Sequence, residues 1–152
     1  MMPYPSGDIG TARFIKTPTG YLMVLLQGDN LFVQLEALME SEQIPSASFS
    51  AFGFARLATF GFFDFAKKQY VPRSFENVEM ASITGSLAWQ DGKPSIHAHG
   101  VGCDHTFAAV GGHLLALEVG TGSLEITITA HAQKLERKLD TKIGANVLDV
   151  RG

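Results

Sequence analysis

The segment SIHAHGVGCDHTFAAVGGHLLALEV, Ser95–Val119, reads as two strands joined by a short loop, and its register decides how the chain folds. It carries four of the five histidines, His97, His99, His105 and His113; the fifth is His131. Side chains two apart on a strand share a face, so His97 and His99 project together. If Ser95–Gly102 pairs antiparallel with His113–Val119 about a crossing near Thr106, His113 falls opposite His99. Gly111-Gly112 gives the backbone just before His113 freedom for unusual angles and close approach.

Turn chemistry extends this hairpin in both directions. Asp91-Gly92 is a strong hairpin signal between a strand Glu76–Trp89 and the histidine strand. Downstream, Gly120-Thr121-Gly122 reads as a further turn, leading into a last strand, Leu124–Ala132. Upstream, Arg13–Lys16 and Tyr21–Gln27 are strands separated by Thr17-Pro18-Thr19-Gly20. Gly28-Asp29-Asn30 offers caps for a helix whose stripe is Leu31, Leu35, Leu38 and Met39, and Pro45 closes it. The Phe-rich run Ser46–Tyr70 reads as two strands, near Ser48–Gly53 and Leu57–Asp64. Lys134–Lys142 is mixed in charge and reads as a solvated tail or short helix. The expected fold is α+β: a mostly antiparallel sheet of about seven strands with one main covering helix. Residues 11–152 would form this single domain, after a flexible lead-in over residues 1–10.

Composition narrows the function classes. The chain of 152 residues is 45% apolar and 18% charged, with a formal charge of −3, which suits a globular domain. No Lys/Arg run exceeds two residues, which argues against direct binding to duplex DNA. The single cysteine, Cys103, excludes an internal disulfide and suits a reducing compartment. No basic, then apolar, N-terminal pattern is present and no apolar run reaches the roughly 20 residues of a membrane helix. A cytoplasmic protein is the expectation. Eleven phenylalanines crowd a chain with one predicted helix, which cannot cover both faces of a large sheet. A second subunit would cover the rest.

Three neutral imidazoles at His97, His99 and His113 suit Zn²⁺, with Ni²⁺, Co²⁺ or Fe²⁺ as alternatives, and leave a coordination position open. Metal would then be lost below about pH 6, as the imidazoles take up protons. The same spacing also suits histidines satisfied by backbone groups. His105 is a further possible ligand or proton carrier, Asp104 could orient an imidazole, and Glu125 could face the patch as a base. A Ser/His/Asp triad lacks any supporting G-x-S-x-G context.

The residues also resemble a known family. H-x-H at His97 and His99, Asp104 in the loop, G-G-H-L at Gly111–Leu114 and Glu125 follow the signature of the plants-and-prokaryotes-conserved (PPC) domain. LLQGDNLFVQLEALMESEQIPSASFSAFG, from Leu25 to Gly53, resembles its helix start and small-residue strand, and Ile83-Thr84-Gly85-Ser86 its central strand. The resemblance implies a homotrimer, and zinc at the three histidines. It also implies a link to DNA, because plant members carry the domain beside AT-hook motifs. This chain lacks an R-G-R-P AT-hook and is acidic, so that link is expected through partners. Two readings follow: a trimeric metal-binding module with a regulatory or ligand-sensing role, or a metal-dependent enzyme acting on a small molecule through activated water.

Overall fold

Thr17-Pro18-Thr19-Gly20 reverses the chain between β1 (Phe14–Thr17) and β2 (Gly20–Leu26). The computed structural model describes residues 13–151; the predicted lead-in, Met1–Gly10, lies outside the described residues. After β2, Asn30 caps α1 (Leu31–Glu42) by accepting a 3.1 Å hydrogen bond from the Val33 N–H. The predicted stripe of Leu31, Leu35, Leu38 and Met39 is fully buried. Each such side chain contributes roughly 1.5–3 kcal/mol by leaving water. Gln43 takes the left-handed conformation and donates its N–H to Met39, ending the helix ahead of Pro45.

The remaining strands are β3 (Ser46–Asp64), β4 (Gln69–Gln90), β5 (Lys93–Cys103), β6 (Ala109–His131), β7 (Glu136–Asp140) and β8 (Ala145–Asp149). They form one sheet of eight strands in the order β1-β2-β6-β3-β4-β7-β8, with β5 bridging β4 and β6. Pairing is antiparallel except for a single parallel bridge, Trp89 to Glu136. Because β5 bonds to both β4 and β6, and β3 also bonds to both, these four strands close into a ring. The core lies inside, with α1 against β5 and β6. Trp89 belongs to this core, its indole N–H donating to the Ile44 carbonyl at 2.8 Å.

Three sequence expectations change. The Phe-rich run is one strand, β3, interrupted by bulges rather than a turn, with Phe49 and Phe60 buried and Phe52 and Phe62 exposed. Gly120-Thr121-Gly122 does not reverse the chain. The β3–β6 ladder steps from Gly53↔Leu124 to Ala55↔Val119, so Gly120–Ser123 loop out as a wide bulge while β6 continues in the same direction. Lys134–Lys142 is neither tail nor helix; it contains β7, whose hairpin with β8 turns through Asp140–Gly144. Its charges alternate outward around one inward residue, Arg137, which is 5% exposed.

Candidate metal centre

The ring closes between β5 and β6, and the histidines lie at that seam. Ala98 and Gly100 point into the core, which turns His97 and His99 to the opposite, exposed face. His113 pairs directly across from His99, while its other neighbour in the ladder is Gly61 of β3. Gly112 delivers it at φ 153°, a conformation that L side chains rarely adopt. Gly61 clears a second space: a Cβ there would lie 2.8 Å from the Tyr70 ring. Without it, Tyr70 stacks on His113 with centroids 4.3 Å apart and planes inclined by 13°.

One ring nitrogen from each of His97, His99 and His113 falls within 4.8 Å of the other two. The Nε2 atoms of His97 and His99 are 3.1 Å apart, so the two rings either share one proton or turn both lone pairs toward a common cation. Ring centroids are 5.1–5.3 Å apart across the three pairs. Burial, then the neighbouring His97 and His99, push the His113 pKa down to about 4. His97 is also shifted down, first by burial, then by His99 and Arg137. Both shifts favour the neutral, ligating form. The buried Nδ1 of His113 has no hydrogen-bond partner among the described residues. Three imidazoles, one with an orphaned nitrogen, are a donor set that fits zinc and related borderline cations.

Beside the histidines opens a cleft of about 310 Å³. His97 and His113 form one wall. The β3–β4 turn, with Phe63, Lys68 and Tyr70, and the β7–β8 hairpin, with Arg137 and Leu139, form the others. Arg137 donates through Nη1 to the Ser95 carbonyl and hydroxyl, and through Nη2 to those of Ser86, the Ser86 hydroxyl at 2.6 Å. Burial makes its guanidinium somewhat easier to deprotonate than a free one.

The other sequence-nominated residues stay apart from this cluster within the chain. Asp104 and His105 occupy the β5–β6 loop, beyond Cys103↔Ala109, four register steps from His99↔His113. Asp104 closes that loop, its Oδ1 accepting from the Thr106 N–H, the Thr106 hydroxyl and the Ala108 N–H. These bonds hold its carboxyl below the usual range, with a smaller contribution from the neighbouring His105. Glu125 pairs with Phe52 at the far half of the β3–β6 ladder; the turn that would have returned it to the site is the bulge. His131 lies at the end of β6, 3.2 Å from the Ser48 hydroxyl. Cys103 is a free, half-buried thiol. Tyr70 and Arg137 are the residues that sequence reasoning missed. The D-x-x-x-G spacing of Asp140–Gly144 between two short alternating segments is a hairpin signal that could have drawn attention to Arg137.

The family model described as the Plants and Prokaryotes Conserved (PCC) domain matches residues 14–131. The chain belongs to this family. A Ralstonia eutropha JMP134 protein named as a candidate DNA-binding protein shares 58% identity and superposes with a TM-score of 0.89, covering 91% of this chain and 96% of its own. A metal-containing protein of Archaeoglobus fulgidus is 30% identical at a TM-score of 0.76, over 90% of this chain and 96% of that one. A Pyrococcus horikoshii protein, called plant- and prokaryote-conserved (PPC), is 25% identical at 0.78, over 96% and 99%. No curated protein matches the chain. The PCC domain supplies the fold, and in this chain it also carries the three-histidine cluster.

Proposed function

We propose that this PCC domain is a homotrimeric metal-binding module in which His97, His99 and His113 hold one divalent cation, zinc first. The observation that carries the reading is the convergence of three imidazole ligand atoms within 4.8 Å. The low proton affinity of His113 supports it, because the ligand is ready without first losing a proton. The Archaeoglobus relative, named as metal-containing, is consistent with it. Three protein ligands leave a fourth position for water or ligand, which separates this site from a closed structural one. A bound zinc would act as a Lewis acid and lower the pKa of water.

The module's role is regulatory or ligand-sensing, with DNA association through partners. The charge of −3 and the absence of any longer basic run disfavour direct duplex contact. Trimer formation is supported by outward Phe52, Phe62 and Phe65, which are 54%, 81% and 65% exposed in the single chain. No helix among the described residues is long and apolar enough to cross a membrane. A cytoplasmic location follows the lone Cys103.

The second reading, a metal-dependent enzyme acting on a small molecule, is favoured by one observation: the cleft that opens beside His97 and His113. In that case Tyr70 would hold the His113 ring in place and the cleft walls would orient the substrate. Elemental analysis of the purified protein, with light scattering on the same sample, tests the main reading. One metal per chain and a trimer mass are expected. Absence of metal after incubation with excess zinc, or a stable monomer at micromolar concentration, would overturn the corresponding part.

A further inference from the structure

The cleft beside the histidines carries an unbalanced charge. Arg137 is 5% exposed, and none of the ion pairs among the described residues includes it. Its recorded hydrogen bonds all go to neutral serine oxygens. Serine dipoles orient a guanidinium but leave its charge in place, and a buried charge without a counter-ion is costly. The lining of the cleft contains no Asp or Glu, and adds a second cation, Lys68. A cation held in a fixed pose, at the wall of a cavity lacking any acidic residue, is an anion site.

We propose that the cleft binds a small monocarboxylate, its carboxylate held between Arg137 and the cation at His97, His99 and His113, its apolar end against Phe63, Ile96 and Leu139. This rests on the metal reading above and gives it a ligand class. Size sets the first limit, since about 310 Å³ is at the lower end of small-molecule pockets. Geometry favours a carboxylate over a phosphate. The walls are strands and hairpins, with no helix N-terminus to present N–H groups to a phosphate. Only Arg137 is fixed; Lys68 already donates to the Thr141 carbonyl at 2.9 Å. The four Nη hydrogens of Arg137 are donated to Ser86 and Ser95, so its Nε–H and its charge are left to meet one carboxylate oxygen while the cation meets the other. Lys68 also packs under Gly144, where a Cβ would come within 2.8 Å of its methylenes, so the two hairpins hold each other and keep the cleft open.

The test uses the full chain loaded with Co²⁺, whose visible bands report on the open coordination position. Metal content is measured first, then butyrate, butyramide and inorganic phosphate are titrated separately. Butyrate should shift the bands saturably, and butyramide, of the same shape without the charge, should not. Arg137→Gln should weaken butyrate about tenfold or more while keeping one metal per chain. Because that variant also loses bonds to Ser86 and Ser95, Leu139→Trp provides a second route. It fills the cleft from a rim position that is 59% exposed and should block butyrate with metal retained. Equal responses to butyrate and butyramide, or a butyrate response untouched in both variants, would overturn the proposal and leave the metal site standing. A response to phosphate alone would overturn the carboxylate assignment. A wild-type chain that takes up no cobalt would instead defeat the metal reading, and with it this inference.

Discussion

Two regions packed on the same strands, β5 and β6, do opposite work. Where α1 lies against β5 and β6, Leu31, Leu35, Leu38 and Met39 are fully buried and α1 contributes no histidine. At the seam, His97 and His99 are exposed, and their inward neighbours are only Ala98 and Gly100. Stability is concentrated in the first region and chemistry in the second. From this difference we expect the histidines to be dispensable for folding, and a helix residue to be open to damage without moving a ligand. Such a separation can be broken by experiment.

The largest effect should come from His113→Ala. It leaves two imidazoles, which hold a four-coordinate zinc poorly, so affinity should fall by more than the roughly 10–100-fold typical of losing an outer-shell partner. Elemental analysis after gel filtration reads this, and circular dichroism should show the fold intact. If the metal-free variant unfolds, the seam is a structural staple and the separation fails. Leu35→Ala should do the reverse. Truncating a fully buried leucine costs about 2–5 kcal/mol in urea unfolding, while the folded fraction should keep its metal. Loss of metal at full folding would show that helix packing sets the seam.

Acid should sharpen the comparison through the histidines. Without metal, His113 titrates near 4 when folded against about 6.5 when unfolded. As pH falls through 6.5 the unfolded chain takes up the proton first, so this contribution is complete above about 6.5. It is lost progressively down to about 4 and is flat below. After allowance for the partial exposure of the ring, the loss is on the order of 1–3 kcal/mol. Urea unfolding at pH 7, 5.5 and 4 should show it in the wild type and not in His113→Ala. In the loaded protein, retention should extend below the pH 6 that free imidazoles would give, because His97 and His113 both hold protons less readily. A slope identical in both proteins would place the acid response elsewhere.

The sequence disclosed the histidine seam because two local rules suffice there: strand parity and one hairpin register. His99 opposite His113 follows from the crossing near Thr106. Asp91-Gly92 was readable for the same reason, both residues taking the positive φ such a turn needs. Gly120-Thr121-Gly122 was not, because the same residue types serve a turn and a bulge. Only pairing of both halves of β6 with β3 tells them apart, and that pairing is long-range. Arg137 and Tyr70 were hidden for a related reason. A lone arginine among Lys, Glu and Asp looks solvated until β7 folds back on Ser86 and Ser95, and Tyr70 reaches His113 only across Gly61. The parts of the site supplied by neighbours in sequence were legible, and the parts supplied by distant hairpins were not.

The smallest effect is expected at the loop that sequence reasoning tied to the site. His105 is exposed at the β5–β6 tip, and the cluster of ligand atoms among the described residues does not include it. Reaching the histidines would require the tip to fold back over four register steps of paired strand. Asp104 opposes that movement, because its Oδ1 binds three donors within the loop. His105→Ala should therefore leave metal content and pH-dependent retention unchanged, with stability within about 0.5 kcal/mol of the wild type. Asp104→Ala should loosen the tip and lower the thermal midpoint slightly, again with metal retained. A fall in metal affinity in either variant would mean that the loop closes over the open coordination position in solution. The boundary between the chemical seam and its scaffold would then run through Asp104 rather than at His99.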